Sequence, residues 1–191
     1  MIQRVFVDAN VLYSKTLRDW IFLLKLAGNG NMFQLHCTED VLDEALYHLR
    51  RDHPEWKGQQ IANIRRNIVG ALDEIVTDFD PSMDFPGSDE NDRHVQAAAV
   101  ASGAHILVTA DKNLRSMADI DSLDYEIYSP DEFFVHVDDS SSRLVLRVTE
   151  EQREYWSKRN SPGLIAALKS ADCPEFAHRV NQHLRTLSGA K

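Results

Sequence analysis

Cysteine is scarce in this chain of 191 residues: only Cys37 and Cys173 are present, without the spacing of a zinc site. We therefore expect free thiols in a reducing cytoplasm rather than a disulfide framework. Long apolar runs are also missing, since no window approaches the roughly 20 residues that span a membrane. The N-terminal residues lack the basic and apolar regions of a signal peptide. These absences predict a cytoplasmic protein that does not enter a membrane.

Basic residues are outnumbered by acidic ones. Lys and Arg total 21 against 30 Asp and Glu, which gives a formal net charge of −9. A conventional nucleic-acid binder depends on Lys and Arg to neutralise phosphates, so this balance argues against one. The exception is an acidic site in which divalent cations lie between protein carboxylates and a phosphodiester. Net charge alone therefore does not decide the partner.

Short apolar runs alternate with amphipathic patterns along most of the chain, and this alternation predicts an α/β protein. Strands are predicted at residues 5–7, 33–37, 75–76, 104–108 and 125–128. Helices are predicted at residues 11–27, after Thr38, at 61–72, at 92–101 and from Pro130 to about Val137. Residues 138–142 have the composition of a linker, and residues 143–191 are predicted to be a helical appendage with a possible strand at 144–146.

Two predicted strands lead into a carboxylate. Val5-Phe6-Val7 is followed at once by Asp8, and Ile106-Leu107-Val108 is followed three positions later by Asp111. The carboxyl ends of parallel strands meet at one edge of a sheet, where ligands bind in open α/β folds. Taken singly, each Asp is more often a helix cap than a catalytic group. Together they predict one acidic site.

Spacing leaves the role of three further stretches open. Asp92 begins an alanine-rich helix and is interpreted either as a cap or as a site residue. On the helix after Thr38, Glu44 is no better a candidate than Asp43, and a solvated face is the simpler interpretation of both. The pair Arg65-Arg66 indicates either solvated surface or a rim that contacts phosphate.

A cluster of carboxylates requires compensation, because like charges in one site raise one another's pKa. Hard divalent cations such as Mg²⁺ and Mn²⁺ prefer oxygen ligands and provide that compensation. They also activate water for displacement at phosphorus. The sequence contains no nucleophile elbow, Walker loop or dinucleotide fingerprint that would support another chemistry.

Four stretches, taken in order, resemble the PIN domain, and most closely the VapC-type toxin ribonucleases of bacterial toxin–antitoxin pairs. They are residues 5–12, 41–44, 89–99 and 107–114. The resemblance implies a three-layer α/β/α sandwich around a central parallel sheet. It assigns residues 1–137 to a nuclease domain and leaves residues 138–191 as a helical C-terminal extension.

The resemblance also implies metal-dependent cleavage of single-stranded or looped RNA, with 5′-phosphate and 3′-hydroxyl products. The catalytic acids of the family correspond to Asp8, Glu44, Asp92 and Asp111. The family pattern thereby selects Glu44 over Asp43. It implies that Mg²⁺ or Mn²⁺ is held by Asp8, Asp92 and Asp111, while Glu44 completes the shell or orients water. Residues with a supporting role correspond to Asn10, Thr109, Asn113 and Asp89.

Partners follow from the same resemblance: an RNA substrate, a small antitoxin whose basic residue enters the acidic site, and a second copy in a homodimer. Two alternatives remain. A haloacid-dehalogenase-type phosphatase also begins with a strand that ends in Asp, but its usual second Asp is replaced here by Asn10. A non-catalytic α/β interaction module would use the acids only as helix caps.

Overall fold

A computed structural model describes residues 2–83, 92–116, 123–158 and 163–189. The chain forms two compact units. The first contains Met1–Tyr13 and Asn31–Ser129, and the second contains Ser14–Gly30 and Pro130–Lys191. The assignment of residues 1–137 to a nuclease domain stays a prediction.

The described elements follow one another in the order β1 (Gln3–Val7), α1 (Ala9–Tyr13), α2 (Lys15–Ala27), β2 (Phe33–Cys37), α3 (Glu39–Asp52), α4 (Gly58–Ala71), β3 (Glu74–Ile75), α5 (Arg93–Ala101), β4 (Ile106–Val108), α6 (Lys112–Arg115), β5 (Glu126–Tyr128), α7 (Pro130–Ser140), α8 (Ser142–Ser157), α9 (Leu164–Ser170) and α10 (Pro174–Gly189). No helix among these residues is long and apolar enough to span a bilayer.

The first unit is organised around a sheet whose described strands are all parallel, in the order β3-β2-β1-β4-β5. Val5, Phe6 and Val7 of the central strand β1 are fully buried. A continuous apolar strand of this kind is typical of a parallel sheet that is covered on both faces. The order reverses between β1 and β4, which is where open α/β sheets bind ligands. The predicted fold class, an α/β sandwich with a central parallel sheet and further helices, is confirmed.

Helix boundaries in the first unit follow local capping. Thr38 starts α3, since its hydroxyl accepts a hydrogen bond from the backbone N–H of Val41 at 3.1 Å. Three alanines of α5, residues 97–99, are buried, and such small side chains allow a helix to pack closely on a sheet. The single helix predicted over residues 11–27 is wrong, because Ser14 caps a new helix through the N–H of Leu17.

Helices alone make up the described part of the second unit. Helix α10 packs against α7, α8 and α9, while α2 packs against α8 and α9. Its core contains a group of aromatic rings, with Phe176 contacting Trp20 edge-on at 4.8 Å and Phe134 at 5.0 Å between centroids. All three rings are fully buried or nearly so.

Two expectations for the C-terminal region are wrong. The proposed linker at residues 138–142 is instead the junction of two helices, because α7 continues to Ser140 and α8 begins at Ser142. The possible strand at residues 144–146 lies inside α8. There Val145 and Val148 are buried one helical turn apart, so the helical period of the apolar residues outweighs their β propensity.

Candidate functional site

The central strands bring Asp8 and Thr109 side by side at the carboxyl edge of the sheet. Val7 of β1 is paired with Val108 of β4, and the backbone N–H of Asp8 donates to the Val108 carbonyl at 3.1 Å. The Thr109 hydroxyl then donates to Oδ2 of Asp8 at 2.6 Å. Both residues are buried, and Asp8 is only 8% exposed.

Asn10 in the first turn of α1 connects the two strand ends further. Its side-chain amide donates to Oδ2 of Asp8 and to the hydroxyl of Thr109, the latter at 3.0 Å. Its carbonyl oxygen accepts the backbone N–H of Ala110 at 2.9 Å. The backbone N–H of Ala9 binds the other oxygen of Asp8 at 2.6 Å. The Asp8 carboxylate is therefore fixed by donors that are all neutral.

Burial raises the pKa of Asp8 above its ordinary value of 3.8, and the negative charge of Glu44 acts in the same direction. Hydrogen bonds from Thr109, Ala9 and Asn10 partly oppose this rise in pKa. Among the described residues, none of the groups that shift this pKa is a cation. A bound cation would therefore favour the ionised form of Asp8, which burial disfavours.

Asp111 is tied to the same network through its backbone. Its N–H donates to the Thr109 hydroxyl at 3.0 Å, and its Oδ1 accepts the N–H of Asn113 at 2.7 Å. Asp111 therefore caps the short helix α6, on which Asn113 is exposed. Since capping engages only one carboxylate oxygen, this arrangement leaves the second oxygen available to a ligand.

The remaining predicted acids lie on the flanking helices. Glu44 is about half exposed on α3, and its Oε1 lies 3.5 Å from Nε2 of His48. The negative charge of Glu44 raises the pKa of Asp8. Asp92 is the half-buried N-cap residue of α5, but its side chain does not cap that helix. Because α5 precedes β4, we expect its N-terminus at the edge where Asp8 lies, and the place of Asp92 in the site stays a prediction. Asp89 lies outside the described residues.

The two predicted nucleic-acid contacts lie on the exposed side of α4. Arg65 is 3.0 Å from the carboxylate of Glu39, and Arg66 donates to the side chain of Asn63 at 3.3 Å. Exposed pairs of this kind are held weakly and are easily exchanged for another anion. The role of both arginines in contacting nucleic acid stays a prediction.

Comparison with known families identifies this arrangement. Residues 4–113, more than half of the chain, match the family described as the PIN domain. The chain belongs to the PIN domain family. PIN domains are generally metal-dependent nucleases, so the phosphatase alternative loses its support. Searches among curated proteins and among solved structures found no significant match.

The donors of this PIN domain suit a hard divalent cation, because Asp8, Asp111 and Glu44 all offer carboxylate oxygens. Within residues 2–83, 92–116, 123–158 and 163–189, no three Asp, Glu, His or Cys side chains are grouped closely enough to hold a metal ion. Mg²⁺ commonly binds through one or two carboxylates and keeps several waters until phosphate arrives. The donor chemistry therefore fits, with solvent and substrate supplying the other ligands.

Local sequence patterns assign no role to Asn10 or Thr109, and only the family resemblance indicates one. A signal was present, since each follows a central strand of the PIN domain within three residues and carries a hydrogen-bonding side chain. The sequence patterns also give no role to the exposed Tyr47, which follows Glu44 by three positions on α3. Tyr47 lies outside the apolar stripe of α3, where a large exposed ring has no role in packing.

Proposed function

We propose that this protein is a Mg²⁺- or Mn²⁺-dependent endoribonuclease that hydrolyses phosphodiester bonds in RNA. The proposal is supported above all by Asp8, a buried carboxylate at the sheet edge of a PIN domain. Within the described part of the chain, only neutral donors hold this carboxylate, and Glu44 adds further negative charge nearby. A divalent cation satisfies such a group, and it also allows an acidic protein to accept a phosphodiester.

In this proposal Asp8, Asp92 and Asp111 hold the metal directly or through bound water, because no three of the described side chains are grouped closely enough to bind one ion together. When bound, the cation neutralises phosphate charge and lowers the pKa of the attacking water. Glu44 completes the shell or orients that water. Asn10 and Thr109 act as positioning residues, because their hydrogen bonds fix the direction of the Asp8 carboxylate.

Asn113 and Asp89 are proposed to support the metal site from neighbouring positions, and Arg65 and Arg66 are proposed to contact the RNA backbone. The proposal holds whether the site binds one cation or two. The family resemblance also supports residues 1–137 as the nuclease domain and residues 138–191 as its helical extension.

A biological role as the toxin of a toxin–antitoxin pair is the finer part of the proposal. It is supported by the resemblance to VapC-type toxins and by the buried negative charge of Asp8, which a basic side chain of an antitoxin would neutralise. The resemblance further supports a homodimer that acts in the cytoplasm. Co-purification of a small protein that suppresses RNA cleavage would support this role, and a neighbouring gene for such a protein would identify the partner.

The direct test is RNA cleavage by the full chain. We expect single-stranded RNA to be cut in the presence of Mg²⁺ or Mn²⁺ and to stay intact in a chelator. Asp8→Asn removes the central ligand and is expected to slow cleavage by more than about 100-fold. Circular dichroism of the variant checks that it is folded. Equal rates for the wild type and a folded Asp8→Asn variant would refute the assignment.

A further inference from the structure

A group of partly or fully exposed rings and one positive charge lies next to the predicted active-site acid Glu44. Tyr47 on α3 is 64% exposed. The ring of His48 meets Tyr47 at 5.6 Å and Tyr13 at 5.9 Å, edge-on in both cases. Arg51 follows Tyr47 by one helical turn, and its guanidinium binds the same Asp52 carboxylate as the Tyr13 hydroxyl. Tyr13, Tyr47, His48 and Arg51 together form what we term the aromatic patch.

Hydrogen bonds hold one side of the aromatic patch in place. The Tyr13 hydroxyl donates to Oδ2 of Asp52 at 2.5 Å, and Nε of Arg51 donates to Oδ1 of the same carboxylate at 2.9 Å. The bond to Asp52 raises the pKa of Tyr13, so the phenol stays neutral. The Tyr13 ring and the Arg51 guanidinium are therefore arranged before any ligand arrives, which reduces the entropic cost of binding.

The aromatic patch is related to Asp8 through the charge of Glu44 and through helix α1. Nε2 of His48 lies 3.5 Å from Glu44, and the charge of Glu44 reaches Asp8. Along the chain, Asp8 immediately precedes α1, and Tyr13 is the last residue of that helix. A helix of this length rises by about 7 Å, which is comparable to two stacked nucleotides. A strand that presents a phosphate to Asp8 would bring neighbouring bases to the aromatic patch.

The chemistry of the aromatic patch favours single-stranded RNA over other ligands. Unpaired bases stack on aromatic rings and on guanidinium planes, with little dependence on sequence. With a net charge of −9, the protein has little long-range attraction for phosphate. Base stacking contributes to RNA affinity without depending on positive charge. A double helix would not offer unstacked bases to these rings.

We propose that the aromatic patch stacks the bases of single-stranded RNA that flank the phosphodiester presented to Asp8. This inference rests on the proposed ribonuclease function. It makes Tyr47 the principal stacking residue, because its ring is the most exposed of the group, and it gives Arg51 a contact to base or phosphate. A protein segment as the occupant is the alternative that the test excludes or supports.

The test measures RNA affinity separately from cleavage. Full-length Asp8→Asn protein is titrated in Mg²⁺ with end-labelled single-stranded RNA of mixed sequence, which stays intact in this background. Adding Tyr47→Leu keeps an apolar side chain but removes the ring, and we expect about tenfold weaker binding. Adding Tyr47→Phe keeps the ring and should keep the affinity within about twofold. Adding Tyr155→Leu, on α8, is the matched control for loss of a tyrosine elsewhere.

A fluorescent base reports the stacking itself. An oligoadenylate that carries one aminopurine is added to each protein. The parent protein and the Tyr47→Phe variant should quench the aminopurine fluorescence, and the Tyr47→Leu variant should not. With the active chain, Tyr47→Leu should raise KM by about tenfold and leave kcat nearly unchanged, because stacking contributes equally to the bound substrate and the transition state. A fall in kcat alone would contradict a binding role.

The possible outcomes separate this inference from the proposed function. If Tyr47→Leu does not change RNA affinity and the wild-type chain cleaves RNA, the stacking role of the aromatic patch is refuted. The proposed ribonuclease function is then unaffected. Weakened affinity in a chain whose wild type cuts no RNA supports the aromatic patch and overturns the catalytic function. Absence of both RNA binding and RNA cleavage by the wild-type chain overturns both proposals and favours a protein segment as the occupant.

Discussion

The hydroxyl of Thr109 donates a hydrogen bond to Oδ2 of Asp8 across 2.6 Å, although the two residues are 101 positions apart in the chain. The pairing of β1 with β4 places them side by side at the edge of the sheet. This bond favours the ionised form of Asp8, whereas burial favours the protonated form. The ionisation of Asp8 thus depends on Thr109, which follows β4, a strand far from β1 in the sequence.

Thr109→Val is expected to raise the pKa of Asp8 further above 3.8, because it removes the largest influence that lowers this pKa. The folded chain then holds its proton to a higher pH than the unfolded chain. The free energy of unfolding therefore falls as the pH rises from 3.8 through the raised pKa of Asp8. It falls by more in the Thr109→Val variant than in the wild type. NMR titration of the Asp8 carboxyl carbon in a chelator measures the pKa, and urea unfolding at several pH values measures the stability.

Thr109→Ser is the matched control for that experiment, since it keeps the hydroxyl and should keep the pKa near that of the wild type. Thr109→Val also leaves the backbone N–H of Asp111 without its acceptor. Loss of such a bond costs about 1–3 kcal/mol, so the valine variant should be less stable than the serine variant at every pH. A pKa that does not change in Thr109→Val would show that burial alone governs Asp8.

The strand ends that position this site are predictable from local sequence, while their partners are not. Val5-Phe6-Val7 is an apolar run that ends in a charge, and burial of the run forces Asp8 to the edge of the sheet. The role of Asn10 depends on a contact with Ala110, 100 positions away, which no local pattern encodes. Glu44 and Asp43 are equally polar positions on α3, so only the family pattern separates them.

Local signals also compete in the helices. Ser14 divides the helix predicted at residues 11–27, because its side chain caps α2 even though the apolar pattern continues across it. At Val145 the local preference for a strand is outweighed by burial of one helix face against the rest of the second unit. A local cap therefore decides the first case, and packing that forms only in the folded chain decides the second.

Added Mn²⁺ should stabilise the wild-type protein. A ligand present at about 100 times its Kd adds about 2.7 kcal/mol, which corresponds to roughly 5–10 °C in Tm for a chain of this size. Differential scanning fluorimetry measures the shift. Asp8→Asn should abolish most of it, and Asp43→Asn should keep it. A Tm independent of Mn²⁺ in all three proteins would support the non-catalytic interaction module.

Both cysteines should be unreactive in the folded protein. Burial raises the pKa of the Cys37 thiol to about 12 and also raises that of Cys173 above its ordinary value of 9.0. Only about one Cys37 in ten thousand would then be a thiolate at about pH 8. We expect mass spectrometry to find no alkylation by iodoacetamide under native conditions and two alkylated sites in urea. Rapid native labelling of either cysteine would show that its burial is transient.

Asp138 stabilises the second unit by joining α7 to α10. The side chain is buried, and its oxygens lie 2.7 Å from Nε2 of His183 and 3.3 Å from Nη1 of Arg179. Asp138→Ala leaves these groups without their buried acceptor, and we expect a loss of about 2 kcal/mol, because both partners keep some access to water. Asp139→Ala removes only an exposed contact to Arg179 and should cost less than about 1 kcal/mol. Urea unfolding followed by circular dichroism compares the two, and equal losses would contradict this role for Asp138.

Glu44→Gln and Asp43→Asn remove the same charge from neighbouring exposed positions of α3. Only Glu44 is close enough for its charge to raise the pKa of Asp8. Glu44→Gln should therefore lower that pKa, in the opposite direction to Thr109→Val, and slow RNA cleavage by about 10–100-fold. NMR titration in a chelator and cleavage rates in Mg²⁺ measure the two effects separately.

Asp43→Asn should leave both measurements unchanged, since its carboxylate has no influence on Asp8. Glu44 also contacts His48, so His48→Gln tests whether any loss of activity arises through that pair. If Glu44 acts on the metal or on water, His48→Gln keeps kcat while Glu44→Gln loses it. If Glu44 serves only to hold His48, the two variants share one phenotype. Similar cleavage by Glu44→Gln and Asp43→Asn would remove Glu44 from the catalytic set, since the charge they lose is the same and only its position differs.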